Sequence, residues 1–99
     1  MEISKKESGN DLILIVSGSI NTATAPLLEK ELSLLPKELK SLTIDITDVD
    51  YISSSGLRDL LNFQNYIDEI GGTMIVKGCH ESVREVFEMT GFDTILTIE

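Results

Sequence analysis

The stretch Asp50-Tyr51-Ile52-Ser53-Ser54-Ser55-Gly56-Leu57-Arg58-Asp59-Leu60-Leu61 organises this sequence. Three serines and a glycine stand between a strictly alternating run, residues 42–47, and an amphipathic pattern that begins at Leu57. Alternation with period two marks a strand, and apolar residues three and four apart mark a helix. A strand that passes through a short polar turn into a helix leaves the first amides of that helix facing the turn. Those unpaired donors, with the positive end of the helix dipole, favour a hydroxyl oxygen, a carboxylate or a phosphate. Serine is a preferred helix cap, so one of the three can have that role alone. One of them can equally be a modifiable hydroxyl. The residues themselves leave both readings open.

Within the alternating run, Leu42, Ile44 and Ile46 face a core while Thr43, Asp45 and Thr47 face away. A central strand with a polar second face predicts helices mainly on one side of its sheet. Downstream, Leu57, Leu60, Leu61, Ile67 and Ile70 form the core stripe of the longest helix, expected from about Ser55 to Ile70. Arg58, Asp59, Asn62, Asn65 and Glu69 form its solvent face. Gly71-Gly72 ends it, one glycine taking the left-handed position. Residues 73–77 read as a further strand. A third helix follows Cys79-His80-Glu81-Ser82, with Val83, Val86 and Phe87 inward and Gly91 at its end. A final short strand is expected over residues 94–98.

Upstream, two extended runs, residues 3–7 and 12–16, flank the turn sequence Ser8-Gly9-Asn10-Asp11 and read as an antiparallel hairpin. The second run is apolar at every position, as expected of a strand buried on both faces. The chain should leave the sheet at Ser17-Gly18-Ser19-Ile20-Asn21. Asn21, Thr22 or Thr24 can cap the next helix, with Pro26 in its first turn. Leu28, Leu32 and Leu35 give that helix its apolar side, and Pro36 stops it. Strands alternating with helices imply right-handed crossovers. The expected fold is a single α/β domain over residues 1–99, a mostly parallel sheet with an antiparallel edge strand and helices mainly on one face.

A chain of 99 residues with 41% apolar residues and a mean hydropathy of +0.10 has material for one core and no more. Eight basic against 17 acidic residues give a formal charge of -9. That balance speaks against nucleic acid and against an anionic membrane surface, both of which call for Lys and Arg. It suits a basic protein partner, and it also serves solubility. Met1-Glu2-Ile3-Ser4-Lys5-Lys6 has no apolar run behind its lysines and does not read as a signal peptide. With no segment approaching the length of a membrane span, the cytoplasm is the expected location.

Enzymatic constellations are scarce, and neither enzymatic activity nor a cofactor is expected. The single cysteine, Cys79, excludes an internal disulfide and reads as a small packed residue. His80, the only histidine, has no metal-ligand spacing around it and reads as structural or exposed. No G-x-S-x-G elbow, G-x-G-x-x-G loop or Walker loop occurs. Asp45, Asp48 and Asp50 precede the serine turn and read as solvating strand and loop ends, a weak magnesium site being the sharper alternative. No metal site is expected.

Residues 41–61 resemble the signature of the STAS family, the sulfate-transporter and anti-sigma-factor-antagonist domain. That signature is a strand ending in Asp, a Ser or Thr soon after, and Asp-Ser-Ser-Gly-Leu opening a helix. Ile44-Asp45-Ile46-Thr47 and Ser53-Ser54-Ser55-Gly56-Leu57 match it in order and spacing. Val16-Ser17-Gly18-Ser19-Ile20-Asn21-Thr22-Ala23-Thr24-Ala25 resembles the family's Gly-x-Leu-Asp turn and Thr-Ala-rich helix start. Ile70-Gly71-Gly72-Thr73-Met74-Ile75-Val76 and Met89-Thr90-Gly91-Phe92 resemble its fourth strand and helix-ending glycine. Ser53 stands at the motif Asp and Asn21 at the turn Asp; each keeps hydrogen-bonding capacity without the carboxylate.

The resemblance implies an anti-sigma factor antagonist. Its unphosphorylated form would bind an anti-sigma factor that is also a serine kinase, and so free a sigma factor. Phosphorylation of the serine after the motif Asp would break the complex, and a phosphoserine phosphatase would restore it. Counted back from Gly56, that serine is Ser54, with Ser53 and Ser55 as alternatives and Ser55 as the expected helix cap. Asn21, Thr22, Thr24, Ser53, Ser55, Gly56, Arg58, Asp59 and Asn62 would meet the partner. The same resemblance admits a scaffold subunit of a stress-signalling or membrane-transport assembly, and a nucleotide-sensing module.

Overall fold

The computed structural model describes residues 1–99. The elements follow in the order β1 (Glu2–Ser8), β2 (Asp11–Ile20), α1 (Ala25–Leu32), β3 (Ser41–Ile52), α2 (Ser54–Glu69), β4 (Thr73–Lys77) and α3 (Glu81–Thr90), with a 3-10 turn over Phe92–Thr94. The sheet order is β1-β2-β3-β4. β1 runs antiparallel to β2 across the Gly9-Asn10 turn, and the other two pairs are parallel. Both parallel steps move the same way across the sheet, so right-handed crossovers put α1 and α2 on one face. The mostly parallel α/β architecture with an antiparallel edge strand is the one the sequence pattern predicts.

Register accounts for the core. Leu12 lies beside Leu42 and Leu14 beside Ile44, and these meet Met74 and Val76 of β4. All six are buried, under Leu28 of α1, Leu57, Leu60, Phe63 and Ile67 of α2, and Val83 and Phe87 of α3. Phe63, absent from the expected stripe, is fully buried and takes the place foreseen for Leu61, which is half-buried. On the opposite face Ile13, Ile15, Thr43 and Asp45 are half-buried. Residues 12–16 are therefore enclosed on one face only, because no helix crosses the other.

Four expectations need correction. The chain does not leave the sheet at Ser17: β2 continues to Ile20, with register shifts at Ile15/Ser17 and Gly18/Ser19 and a positive φ at Gly18. β3 likewise runs on through Asp48 and Asp50 to Ile52, so those residues belong to a strand and not to a loop. The final strand is reduced to one parallel bridge, Val76 to Ile98. The amides of Thr94, Ile95 and Leu96 are already spent on the carbonyls of Gly91 and Phe92, leaving only Thr97 and Glu99 to bond Val76. α1 also stops at Leu32, a turn before Pro36, where the Ser33 hydroxyl donates to the Lys30 carbonyl at 2.7 Å.

The long strands bring Ile20 and Ile52 side by side at the same edge of the sheet, and α2 starts directly above them. Gly56 makes that approach possible. A Cβ there would lie 2.5 Å from Ile20 Cγ2 and 2.9 Å from Ile52 Cγ1, distances that side chains do not tolerate. Gly56→Ala is therefore expected to cost about 1–3 kcal/mol through overpacking, measured as a lower urea midpoint. A midpoint equal to that of the wild type would mean that the helix is free to lift away.

Candidate functional site

Two strand-to-helix turns open at this edge and are joined by backbone. The Ser53 N–H donates to the Ile20 carbonyl at 2.7 Å, tying the start of α2 to the end of β2. In the first turn, Asn21 Oδ1 accepts from the amides of Ala23 (2.9 Å) and Thr24 (3.0 Å). The Thr24 hydroxyl donates to the Ser19 carbonyl at 2.7 Å and accepts the Asn21 N–H at 2.8 Å. Thr24 occupies the cap position of α1 without a side-chain cap bond, while the Asn21 side chain satisfies the turn before it. An outer link joins Ser19 Oγ to Asp50 Oδ1 at 2.8 Å. Thr22 is exposed at the tip.

The three serines divide the work. Ser53, in extended conformation, is the cap of α2, its Oγ accepting the Gly56 N–H at 3.2 Å. Ser55, the expected cap, instead lies within the first turn, with its hydroxyl 2.8 Å from Ser53 Oγ. The reason is backbone geometry: the cap must be the last non-helical residue, and helical conformation begins at Ser54. Ser54 is exposed at the first helical position, between two half-buried neighbours. Four residues on, Arg58 is also exposed.

Beside this edge, α1 and α2 enclose an open cleft of about 210 Å³ lined by Thr22, Ala25, Pro26, Glu29, Ser55, Arg58, Asp59 and Asn62. Asp59, expected on the solvent face, is only 6% exposed. Its Oδ2 is buried and meets no hydrogen-bond donor. Burial, reinforced by the nearby Glu29 carboxylate and opposed by Arg58, lifts its pKa from 3.8 to about 6. Position 59 is three residues after Gly56 and four before Phe63, at the margin of the buried stripe, and that spacing was the signal for its burial. Glu29, across the cleft, had no such signal in the sequence.

Over residues 2–99 the sequence matches the family model described as the STAS domain. The chain belongs to the STAS family. This STAS domain is 32% identical over 99 residues to BtrV of Bordetella bronchiseptica, covering 99% of this chain and 85% of that protein. It is 26% identical over 98 residues to the anti-sigma-B factor antagonist of Bacillus subtilis, covering 99% of this chain and 90% of that protein. Among solved structures, the anti-sigma factor antagonist SpoIIAA in its unphosphorylated form superposes with a TM-score of 0.76 at 11% identity, over 99% of this chain and 87% of that one. The phosphorylated form of SpoIIAA, from Bacillus, gives a TM-score of 0.76 at 12% identity, over 99% and 91%. At such identities the likeness is one of fold.

Elsewhere in this STAS domain the candidate chemistry is dispersed. Asp45 accepts the Thr47 hydroxyl at 2.6 Å and its amide at 3.0 Å, and the hydroxyl bond holds its carboxyl below the usual range. Asp50 is engaged by Ser19, and no three His, Cys, Asp or Glu side chains converge on a common point. His80 is exposed at the cap of α3 without a side-chain bond, and Cys79 is half-buried against the core. No helix is long and apolar enough to cross a membrane.

Two outcomes follow from the site. Ser53→Ala removes the α2 cap and is expected to cost about 0.5–2 kcal/mol, with Ser55→Ala costing less; equal losses in urea unfolding would contradict this division. For Asp59, the folded chain holds the proton more tightly than the unfolded one. That contribution is fully present below the unfolded pKa of 3.8 and is lost as pH rises through about 6. Asp59→Asn is expected to remove it, so the variant should gain on the wild type between about pH 4 and pH 7. A difference in unfolding free energy that stays constant with pH would show that Asp59 is not strained by ionisation.

Proposed function

We propose that this STAS domain is an anti-sigma factor antagonist, acting in the cytoplasm and switched by phosphorylation of Ser54. Its unphosphorylated form binds an anti-sigma factor with serine kinase activity and so releases a sigma factor; a phosphoserine phosphatase resets it. The observation that carries this reading is Ser54 itself, exposed at the first position of α2 while Ser53 and Ser55 bond each other. The family membership and the relatives' names support it. In the transfer, Ser54 Oγ takes the γ-phosphoryl group of ATP held by the kinase, losing its proton as ADP leaves.

The contact surface of this proposal combines the Asn21–Thr24 turn, the serine turn and the outward residues Arg58 and Asn62, with Asp59 in the cleft behind. Parallel strands deliver both turns to one edge, the place where ligands gather on such sheets. A phosphate adds about -1.5 to -2 charges, and in an interface that repulsion and desolvation can cost several kcal/mol. Because a helix start tolerates phosphate, the modified domain keeps its fold. The switch acts on the surface presented.

Ser54→Ala is expected to fold as the wild type does, bind the anti-sigma factor constitutively and incorporate no phosphate. Ser54→Asp should fold and bind weakly, one carboxylate imitating a dianion only in part. Arg58→Glu should weaken binding while the melting temperature stays within a few degrees. Phosphate incorporation, partner affinity and thermal stability of these variants and of the alanine variants at Ser53 and Ser55 test the reading together. Phosphorylation that persists in Ser54→Ala would move the acceptor to a neighbouring serine. No incorporation at any of the three, with the cognate kinase present, would favour a scaffold.

A further inference from the structure

We infer that the cleft between α1 and α2 is a slot for one organic cation, a guanidinium side chain that the protein partner inserts between Glu29 and Asp59. The inference rests on the proposed partner being a protein that docks at this edge, and it adds the chemistry of the anchoring residue. Asp59 is 6% exposed, lines the cleft, and its Oδ2 has no donor in the chain. A buried carboxylate without a donor is costly, and native proteins satisfy such a group with a protein donor, a water or a bound cation. Glu29 adds a second, exposed carboxylate on the facing helix.

The one cation lining the cleft does not fill the role. Arg58 is exposed, and the only ion pair of the domain is Lys5 with Glu31, 2.7 Å apart and outside the cleft. A metal ion is a poorer fit than an organic cation, since no third carboxylate, histidine or cysteine joins the first two. Two carboxylates on facing walls suit a planar guanidinium, which donates in several directions at once. The opening of about 210 Å³ admits such a head group, and the formal charge of -9 draws a basic partner toward it. Thr22, Ser55 and Asn62 supply neutral acceptors around the rim.

The test has two arms. In the first, the 15N-labelled full chain is titrated at neutral pH with methylguanidinium chloride, with tetramethylammonium chloride and magnesium chloride at matched ionic strength as controls. Saturable shifts at Thr22, Ser55, Asp59 and Asn62 are expected with methylguanidinium alone, lost in Asp59→Asn and weakened in Glu29→Gln. Non-saturating shifts, equal shifts with tetramethylammonium, tighter binding of magnesium, or no effect of either substitution would overturn the slot. In the second arm, the cognate anti-sigma factor should bind Asp59→Asn at least about tenfold more weakly than wild type, with Glu29→Gln, an exposed substitution, as the check against misfolding. If the partner binds wild type and both variants equally, the slot fails and the functional reading stands. If methylguanidinium saturates the cleft while no anti-sigma factor binds the wild type, the cation site stands and the functional reading fails.

Discussion

The close approach of α2 to the ends of β2 and β3 is the constraint on which the rest of this molecule depends. Ile20 and Ile52 form a buried in-register pair, and the helix can settle on them only because position 56 has no Cβ. The Ser53 N–H to Ile20 carbonyl bond closes the same junction from the backbone side. With α2 fixed there, its first turn stands beside the Asn21–Thr24 turn, and its second turn faces α1. The exposed Ser54 and the enclosed Asp59 are both products of that one contact. They lie five residues apart on α2, on opposite sides of the boundary between solvent and packing.

Much of this was legible in the sequence because period and punctuation agreed. Leu42, Ile44 and Ile46 alternate, Gly9 and Asn10 turn, Gly71 takes a positive φ beyond α2 and Gly91 another after α3, each where the pattern put it. Strand ends were less legible. Ser17-Gly18-Ser19 has the composition of a turn, yet β3 holds it in the sheet through shifted register, a tertiary pairing that local propensity does not encode. The apolar run at 12–16 has no period, and so could not tell one buried face from two. Residues 94–98 have strand composition, but the turn after Gly91 takes their amides first.

At the site, residue types were readable and their division of labour was not. Three consecutive serines differ only in where the first helical residue falls, a matter of one position that boundary reading does not resolve. Asp59 was assigned to solvent by its charge, although its spacing from Gly56 and Phe63 put it at the buried margin. Charge is a strong prior for exposure, and here the packing of α1 on α2 overrides it. Glu29 lies 30 residues away in sequence from Asp59, and only the packing of α1 on α2 brings them to one cleft.

On the proposed mechanism the arrangement also separates stability from signalling. Ser53 binds the Gly56 amide and shares a hydrogen bond with Ser55, so those two hydroxyls belong to the fold. Ser54 makes neither bond and can gain or lose a substituent without removing a cap. Were the proposed acceptor the cap itself, a phosphate would have to displace the Gly56 contact and loosen the helix that presents it. Placing it one residue later keeps the amides of the first turn available to an anion while the cap stays made. On the proposed mechanism the two states of the surface therefore differ chiefly in charge, not in the stability of the fold beneath it. On that same proposal Asp59, sunk beneath the edge, would keep its attraction for a partner's cation when Ser54 is phosphorylated, and the switch would work by repulsion at the rim.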